Sequence, residues 1–216
     1  MDTTACIGCR ACQVACKSWH ELPAEETTVH ADHGGYQNPL TIGPRTFTVV
    51  GFHEIVDPAA PGGLRWIFSK RQCMHCLEPA CVAACPVTAL RKRVDGPVTY
   101  DEAKCIGCRY CVLACPFNVP VAEWDTTTPR IRKCDFCEDR LRGASTPDDA
   151  AAEGASWRAR RRMPACAATC PTDALLFGPR EEVLAEAWRR IETSPARYVR
   201  HVYGEREAGG TSWLYL

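Results

Sequence analysis

Apolar and polar positions alternate most clearly in two neighbouring stretches. "RTFTVVGFHEI" (45–55) and "LRWIFSKRQ" (64–72) are rich in β-branched and aromatic residues, and "VDPAAPGG" between them carries the prolines and glycines of a turn. They predict a two-stranded ribbon, and "GPVTYDEAKC" (96–105) predicts one more short strand. The helical period appears later, in "GPREEVLAEAWRRIETS", where Val183, Leu184, Ala187, Trp188 and Ile191 share one face. Pro179 stands at its start, Glu181 and Glu182 in its first turn and arginines in its last, so an amphipathic helix packed on its own domain is expected. From Trp19 to Arg45 the chain is polar, and "HADHGGYQNPL" reads as a surface loop whose His30 and His33 are exposed residues rather than metal ligands. "EDRLRGASTPDDAAAEGASWRARRRMPA" (138–165) reads as an insertion, and the closing "HVYGEREAGGTSWLYL" as a tail that docks on this chain or on a partner. No run of about 18 apolar residues occurs, so no direct membrane span is expected and the chain reads as soluble.

Composition changes this picture through one residue type. Among 216 residues, 46% are apolar, enough for one domain or two small ones, but sixteen are cysteine. A disulfide scaffold would be short, secreted and led by an apolar export segment, and nothing of that kind precedes Cys6. The formal net charge is zero, which argues against nucleic acid as a partner. That count treats the cysteines as neutral, however. If they hold metal as thiolates, the basic segments "ALRKRV" (89–94), "PRIRKC" (129–134) and "WRARRRM" (157–163) offset buried negative charge.

The cysteines fall into four groups of four, with none left over. The first is Cys6, Cys9, Cys12 and Cys16; the second Cys73, Cys76, Cys81 and Cys85; the third Cys105, Cys108, Cys111 and Cys115. The fourth is split into Cys134 and Cys137, then Cys166 and Cys170. The first and third groups have the bacterial ferredoxin spacing, in which three thiolates wrap one cubane and the fourth reaches the other cluster of a pair. That explains why "CIGCRACQVAC" returns as "CIGCRYCVLAC". Proline follows the last cysteine of three groups, as Pro86, Pro116 and Pro171, and pins the chain where it leaves the site. The first group has Lys17 there, so its exit is less constrained. Zinc is the rival for any isolated C-x2-C pair, but two full ferredoxin runs favour iron–sulfur.

Four groups in this order, the second spaced C-x2-C-x4-C-x3-C and the fourth split by an insertion, resemble the electron-transfer β subunits of the dimethyl sulfoxide reductase family of molybdenum and tungsten bis-pterin oxidoreductases. "CIGCRACQVACKSWHELPAE", "GGYQNP", "RTFTVVGF" and "VYGEREAGGTSWLYL" are most similar to the formate dehydrogenase β subunit. The resemblance implies an α+β fold of two ferredoxin-like dicluster modules, irregular and loop-rich, with a short β ribbon and a C-terminal helix. Residues 1–45 and 130–179 would form the first module, 46–129 the second with the ribbon, and 180–216 the helix and docking tail. It implies four 4Fe-4S clusters. One would sit on Cys6, Cys9, Cys12 and Cys170, its neighbour on Cys16, Cys134, Cys137 and Cys166. A third would sit on Cys73, Cys76, Cys81 and Cys115, and the last on Cys85, Cys105, Cys108 and Cys111.

The same resemblance implies a catalytic α subunit that holds the molybdenum or tungsten, and a downstream cytochrome, membrane or diaphorase subunit or soluble acceptor. Membrane-bound relatives continue into a transmembrane helix that is not seen before Leu216. Relatives are exported with their catalytic subunit, so both a periplasmic and a cytoplasmic location fit. No Ser/His/Asp set, phosphate-cradling glycine loop or open metal site is visible, and the chain is expected to be no enzyme by itself. Other substrates of the family (polysulfide, thiosulfate, dimethyl sulfoxide), a hydrogenase partner and a zinc-stapled interaction protein are the alternatives. Trp19, Trp66, Tyr110, Phe117 and Phe136 are expected to pack around the cysteines, and His75 to flank a cluster rather than ligate it.

Overall fold

The cysteine spacing sets the local backbone before any sheet or helix does. In a computed structural model that describes residues 1–29, 36–142 and 163–216, Gly8 and Gly107, each two residues after the first cysteine of its run, have φ of 67° and 71°. Arg10 and Arg109 then take left-handed conformations with φ of 60° and 63° and start the following helices. The repeated sentence thus folds twice into the same turn. The third-group helix, α3 (Tyr110–Ala114), stops at Cys115 because Pro116 forces an extended residue before it. Its counterpart α1 (Ala11–Trp19) has Lys17 at that place and runs on for nine residues. Lys17 is not loose there: its Nζ reaches Glu25 at 2.9 Å, the Arg45 carbonyl at 2.8 Å and Thr46 Oγ1 at 2.9 Å.

The ribbon is β1 (Val49–Val56) and β2 (Leu64–Arg71), antiparallel in a register that runs from Val49 opposite Arg71 to Val56 opposite Leu64. Phe52, Trp66 and Phe68 form one aromatic cluster on it with Tyr36, so Trp66 packs on the ribbon. The ribbon leads in sequence to the second cysteine group, yet it lies against the first. A Cβ on Gly8 would come within 2.7 Å of the Phe68 ring, and the Val50 amide donates to Gln13 Oε1 at 3.2 Å.

After the ribbon come α2 (Ala80–Ala83), β3 (Leu90–Lys92), β4 (Val98–Tyr100), α3, β5 (Val121–Ala122) and β6 (Ile131–Arg132). β3 pairs with β4 and β5 with β6, both antiparallel. Leu90, Val98, Ala122 and Ile131 from these hairpins bury Cys81 and Cys111 in one apolar cluster. Then come α4 (Glu138–Arg142), α5 (Ala165–Ala168) and α6 (Arg180–Thr193). Most of the 138–165 insertion, the basic "WRARRRM" segment save Met163, and both His30 and His33 lie outside the described residues. α1 packs against α5, and α2 against α3, so the first cysteine group meets the fourth and the second meets the third.

The helix expected over 180–194 is α6, with Pro179 as its N-cap. Ala187 and Ile191 are buried with Val202 and Leu214, and Val183, Leu184 and Trp188 pack around them. The tail lies along the second cysteine group: Thr211 bridges Cys76, Ser212 N–H donates to the His75 carbonyl at 3.1 Å, and Trp213 N–H to the Met74 carbonyl at 3.1 Å. These short two-stranded sheets and brief helices make an α+β arrangement. Among the described residues no helix is long and apolar enough to cross a membrane.

Candidate metal centres

All sixteen cysteines are free thiols, fourteen of them buried or half-buried and Cys9 and Cys108 exposed. Burial raises the Cys6 thiol, the Gly8 amide opposes this, and Cys170 and Cys9 add to it. Cys12 is pushed up to about 12 by burial, with Cys166, Cys6 and Cys170 contributing and Lys70 opposing. Beside these, burial takes Cys137 to about 12 with help from Cys166 and Cys16, and lifts Cys134 well above an ordinary thiol next to Cys16 and Cys73.

The second and third groups interleave in the same manner. Burial takes Cys81 to about 12, with Cys73, Cys115 and Cys76 as its thiol neighbours. Cys111 rises to about 11 through burial and the thiols of Cys105, Cys108 and Cys85. Cys81 and Cys111 each have two thiol neighbours from their own group and one from the paired group, whereas Cys12 has one from its own group and two from the fourth, and Cys134 has Cys16 of the first group and Cys73 of the second. Thiols crowded this way repel one another as thiolates, and a cationic core among them removes that penalty.

The backbone supplies what such a core needs. The second residue after the leading cysteine is left-handed in all four groups: Gly8, His75, Gly107 and Phe136, with φ of 67°, 48°, 71° and 68°. That turn aims amides back at sulfur, seen in Gly107 N–H to Cys105 Sγ and Phe136 N–H to Cys134 Sγ, both at 3.4 Å. A second left-handed residue follows each Cys-Pro by two places, at Thr88, Asn118 and Asp173. Around Cys85 burial pushes the thiol up, but the amides of Leu90, Val87, Ala89 and Thr88 outweigh it and hold it below its ordinary value. The Ala89 amide stands 3.2 Å from that sulfur. Hydrogen-bonded, converging, buried thiolates fit iron–sulfur clusters at these positions.

Several charged or polar residues around the thiols gave no sign in the cysteine spacing. His20 Nε2 lies 3.0 Å from Asp135 Oδ1, while its Nδ1 reaches the Cys16 carbonyl at 2.9 Å. Burial opposes its charged form, yet Asp135 and Cys16 raise it to about 11. Asp135 also accepts the Cys137 amide at 2.8 Å, so this pair braces two loops. His20, Asp135 and Cys137 could between them hold a metal ion, but Cys137 belongs to the thiol set above. His75 is fully buried; its Nδ1 accepts the Val98 amide at 2.9 Å, which leaves the proton on Nε2, an atom without a hydrogen-bond partner among the described residues.

Lysines also enter. Lys133 Nζ donates to the Cys134 carbonyl at 2.9 Å and to Val98 O, beside Cys73 and Cys81. Lys92 Nζ donates to the carbonyls of His75 and Gly96 at 3.0 and 2.6 Å. Three of the four arginines in these two segments instead meet acids, Arg93 with Asp95, Arg130 with Glu102 and Arg132 with Glu123, while Arg91 donates to the Thr88 carbonyl at 3.2 Å. Phe117 and Phe136 pack in the cysteine-bearing cores, whereas Trp19 and Tyr110 are largely exposed, Trp19 donating to Asp139 under Arg140.

Thiols grouped for clusters on ferredoxin turns define an iron–sulfur electron-transfer protein. The 4Fe-4S dicluster domain family matches residues 5–89 and again residues 64–152. A protein of Nitratidesulfovibrio vulgaris is 42% identical over the whole chain, which covers 52% of it. The iron–sulfur subunit of nitrate-inducible formate dehydrogenase from Escherichia coli is 36% identical over the whole chain, which covers 66% of it. The hydrogenase-2 operon protein HybA of Escherichia coli O157:H7 is 32% identical over the whole chain, which covers 68% of it. The chain belongs to this family of iron–sulfur electron-transfer subunits, non-catalytic members related to those of formate dehydrogenase and hydrogenase systems. It spans about half the length of the first relative and about two thirds of the other two.

Proposed function

We propose that this chain relays single electrons through four 4Fe-4S clusters between a molybdenum- or tungsten-pterin catalytic subunit, that of a formate dehydrogenase, and a downstream acceptor. The observation that carries the reading is the grouping of sixteen free thiols into paired sets on four left-handed ferredoxin turns. Cys6, Cys9, Cys12 and Cys170 would hold one cluster and Cys16, Cys134, Cys137 and Cys166 its neighbour. Cys73, Cys76, Cys81 and Cys115 would hold the third, and Cys85, Cys105, Cys108 and Cys111 the last.

A bound cluster supplies reversible one-electron chemistry at a potential set by its surroundings. The chain's own residues do the rest. Their amides donate to ligand sulfurs, as Ala89, Gly107 and Phe136 do, which favours the more negative state. Leu90, Val98, Ala122 and Ile131 keep water from Cys81 and Cys111. Exposed Cys9 and Cys108 bring one member of each module to the surface, where an electron has the least protein to cross.

The test is elemental analysis of the complex purified without oxygen. About sixteen irons per copy of this chain are expected beyond those of the partner, with molybdenum or tungsten co-purifying. Zinc in place of iron would overturn the relay. The likeness to HybA favours a second reading, a hydrogenase partner, and iron without molybdenum or tungsten would select it.

A further inference from the structure

Lys70 lies on β2 opposite Val50, only 1% exposed, and so is as buried as any apolar residue of the core. Its ammonium has two close neighbours: Gln72 Oε1 at 3.0 Å, and the face of the Trp213 ring with its centroid 4.6 Å away. Among the described residues no carboxylate pairs with it. An ammonium taken out of water without a counter-charge loses more hydration than one amide oxygen and one ring face return. The groups that face it are the thiols of Cys166, Cys12, Cys134 and Cys16, which become negative as cluster ligands. They come from three stretches of chain and from both cluster sets of the first module. Lys70, Val50 and Cys6, Cys9, Cys12 and Cys170 also line one small cavity.

The surroundings hold this lysine in place. Gln72 Nε2 donates to Tyr215 Oη at 3.0 Å, and Tyr215 Oη donates back to the Lys70 carbonyl. Phe68, two residues earlier on the same face of β2, abuts Gly8 in the first cysteine loop. The ribbon therefore inserts one fixed positive charge between the two cluster sets of the first module. The other module has its own lysines near thiols, Lys133 by Cys73 and Cys81 and Lys92 by Cys76, while the groups acting on Cys111 are the thiols of Cys105, Cys108 and Cys85.

We propose that Lys70 is a positioning charge shared by the two first-module clusters, raising the reduction potential of both. This rests on the relay reading above. An added electron makes each cluster more negative, and a fixed ammonium nearby stabilises that state more than the oxidised one.

The test is a redox titration followed by electron paramagnetic resonance on the intact complex, purified without oxygen, comparing wild type with Lys70→Met and Lys70→Arg. Signals are assigned to the first module by their change in Cys12→Ala. Lys70→Met should make reduction of the first-module clusters at least about tenfold less favourable, a fall of about 59 mV for a one-electron couple. The second-module clusters should stay in place, and Lys70→Arg, which keeps the charge, should stay near wild type. If Lys70→Met instead loses iron, loss confined to the first module and rescued by Lys70→Arg supports the proposal. Unchanged potentials with all clusters present, equal loss from both modules, or Lys70→Arg behaving like Lys70→Met would overturn it. Wild-type complex without iron on this chain would be a failure of the relay reading, not of this one.

Discussion

At the scale of single residues, a cysteine ligand and the glycine beside it make separable demands. On the proposed four-cluster reading, Cys12→Ala removes one ligand of the set with Cys6, Cys9 and Cys170, so iron should fall by about a quarter, with the first module destabilised. Iron unchanged by plasma emission analysis would refute that placement. Gly8→Ala leaves every ligand in place but asks an L-residue to adopt φ of 67° with its Cβ 2.7 Å from the Phe68 ring. Gly107→Ala asks for φ of 71° with nothing nearer than the Pro129 carbonyl at 3.8 Å. Each should lose about 1–2 kcal/mol from the backbone, and Gly8→Ala more because an aromatic ring must move. Anaerobic thermal melting of both variants separates the two costs, and equal melting temperatures would contradict the ring contact. The cysteines were legible from spacing alone. Lys70 was not, because a lone lysine in a strand reads as solvent-facing; its one trace is that it shares parity with Trp66 and Phe68.

At the scale of elements, length decided what could be read. The ribbon and α6 each carry enough residues for a period to repeat, and both lie within a few residues of the stretches that predict them. β3, β5 and β6 span two or three residues, too few for any alternation, and only the folded chain pairs them. The face of α6 was legible, but its anchor was not. Asp2 Oδ2 takes Arg190 Nη1 and Tyr198 Oη, both at 2.8 Å, while Oδ1 takes the Thr4 amide and hydroxyl at 2.9 and 2.7 Å. Burial pushes this carboxyl up, but the bonds from Thr4, Tyr198 and Arg190 outweigh it and hold it below its ordinary value. Because the folded value is the depressed one, the stabilisation is complete above the ordinary carboxylate range and fades as pH falls through the folded value. Asp2→Asn should remove that pH dependence and loosen α6 by about 1–3 kcal/mol. Hydrogen exchange at Ala187 and Ile191 reads it: faster exchange in the variant at neutral pH is expected, and no change would show that the apolar face alone seats the helix.

At the scale of the whole molecule, three of the four apolar clusters among the described residues contain cysteines. Its largest buried cluster mixes Met74, Met163, Leu175 and Trp213 with Cys166 and Cys170, so apolar packing and metal ligands are the same layer. Stability and cluster retention should therefore move together, and Trp213 is where this can be tested without touching a ligand. Trp213 belongs to the tail, yet its amide is tied to Met74, its ring covers the Lys70 ammonium, and Phe136 and Tyr215 stand against it at 6.2 and 6.3 Å. It thus joins the loop of the second cysteine group, the ribbon and the turn of the fourth group. Trp213→Ala should cost about 3–5 kcal/mol, as for other large aromatic truncations. If packing and ligation are one layer, the variant should also lose iron faster to a chelator under anaerobic conditions. Trp188→Ala, on the outer cluster of α6 with Val202 and Leu214, should lower the melting temperature without that loss. Equal chelation rates in wild type and Trp213→Ala would mean that the thiol sets hold their iron independently of the tail, and that the tail's docking serves the fold alone.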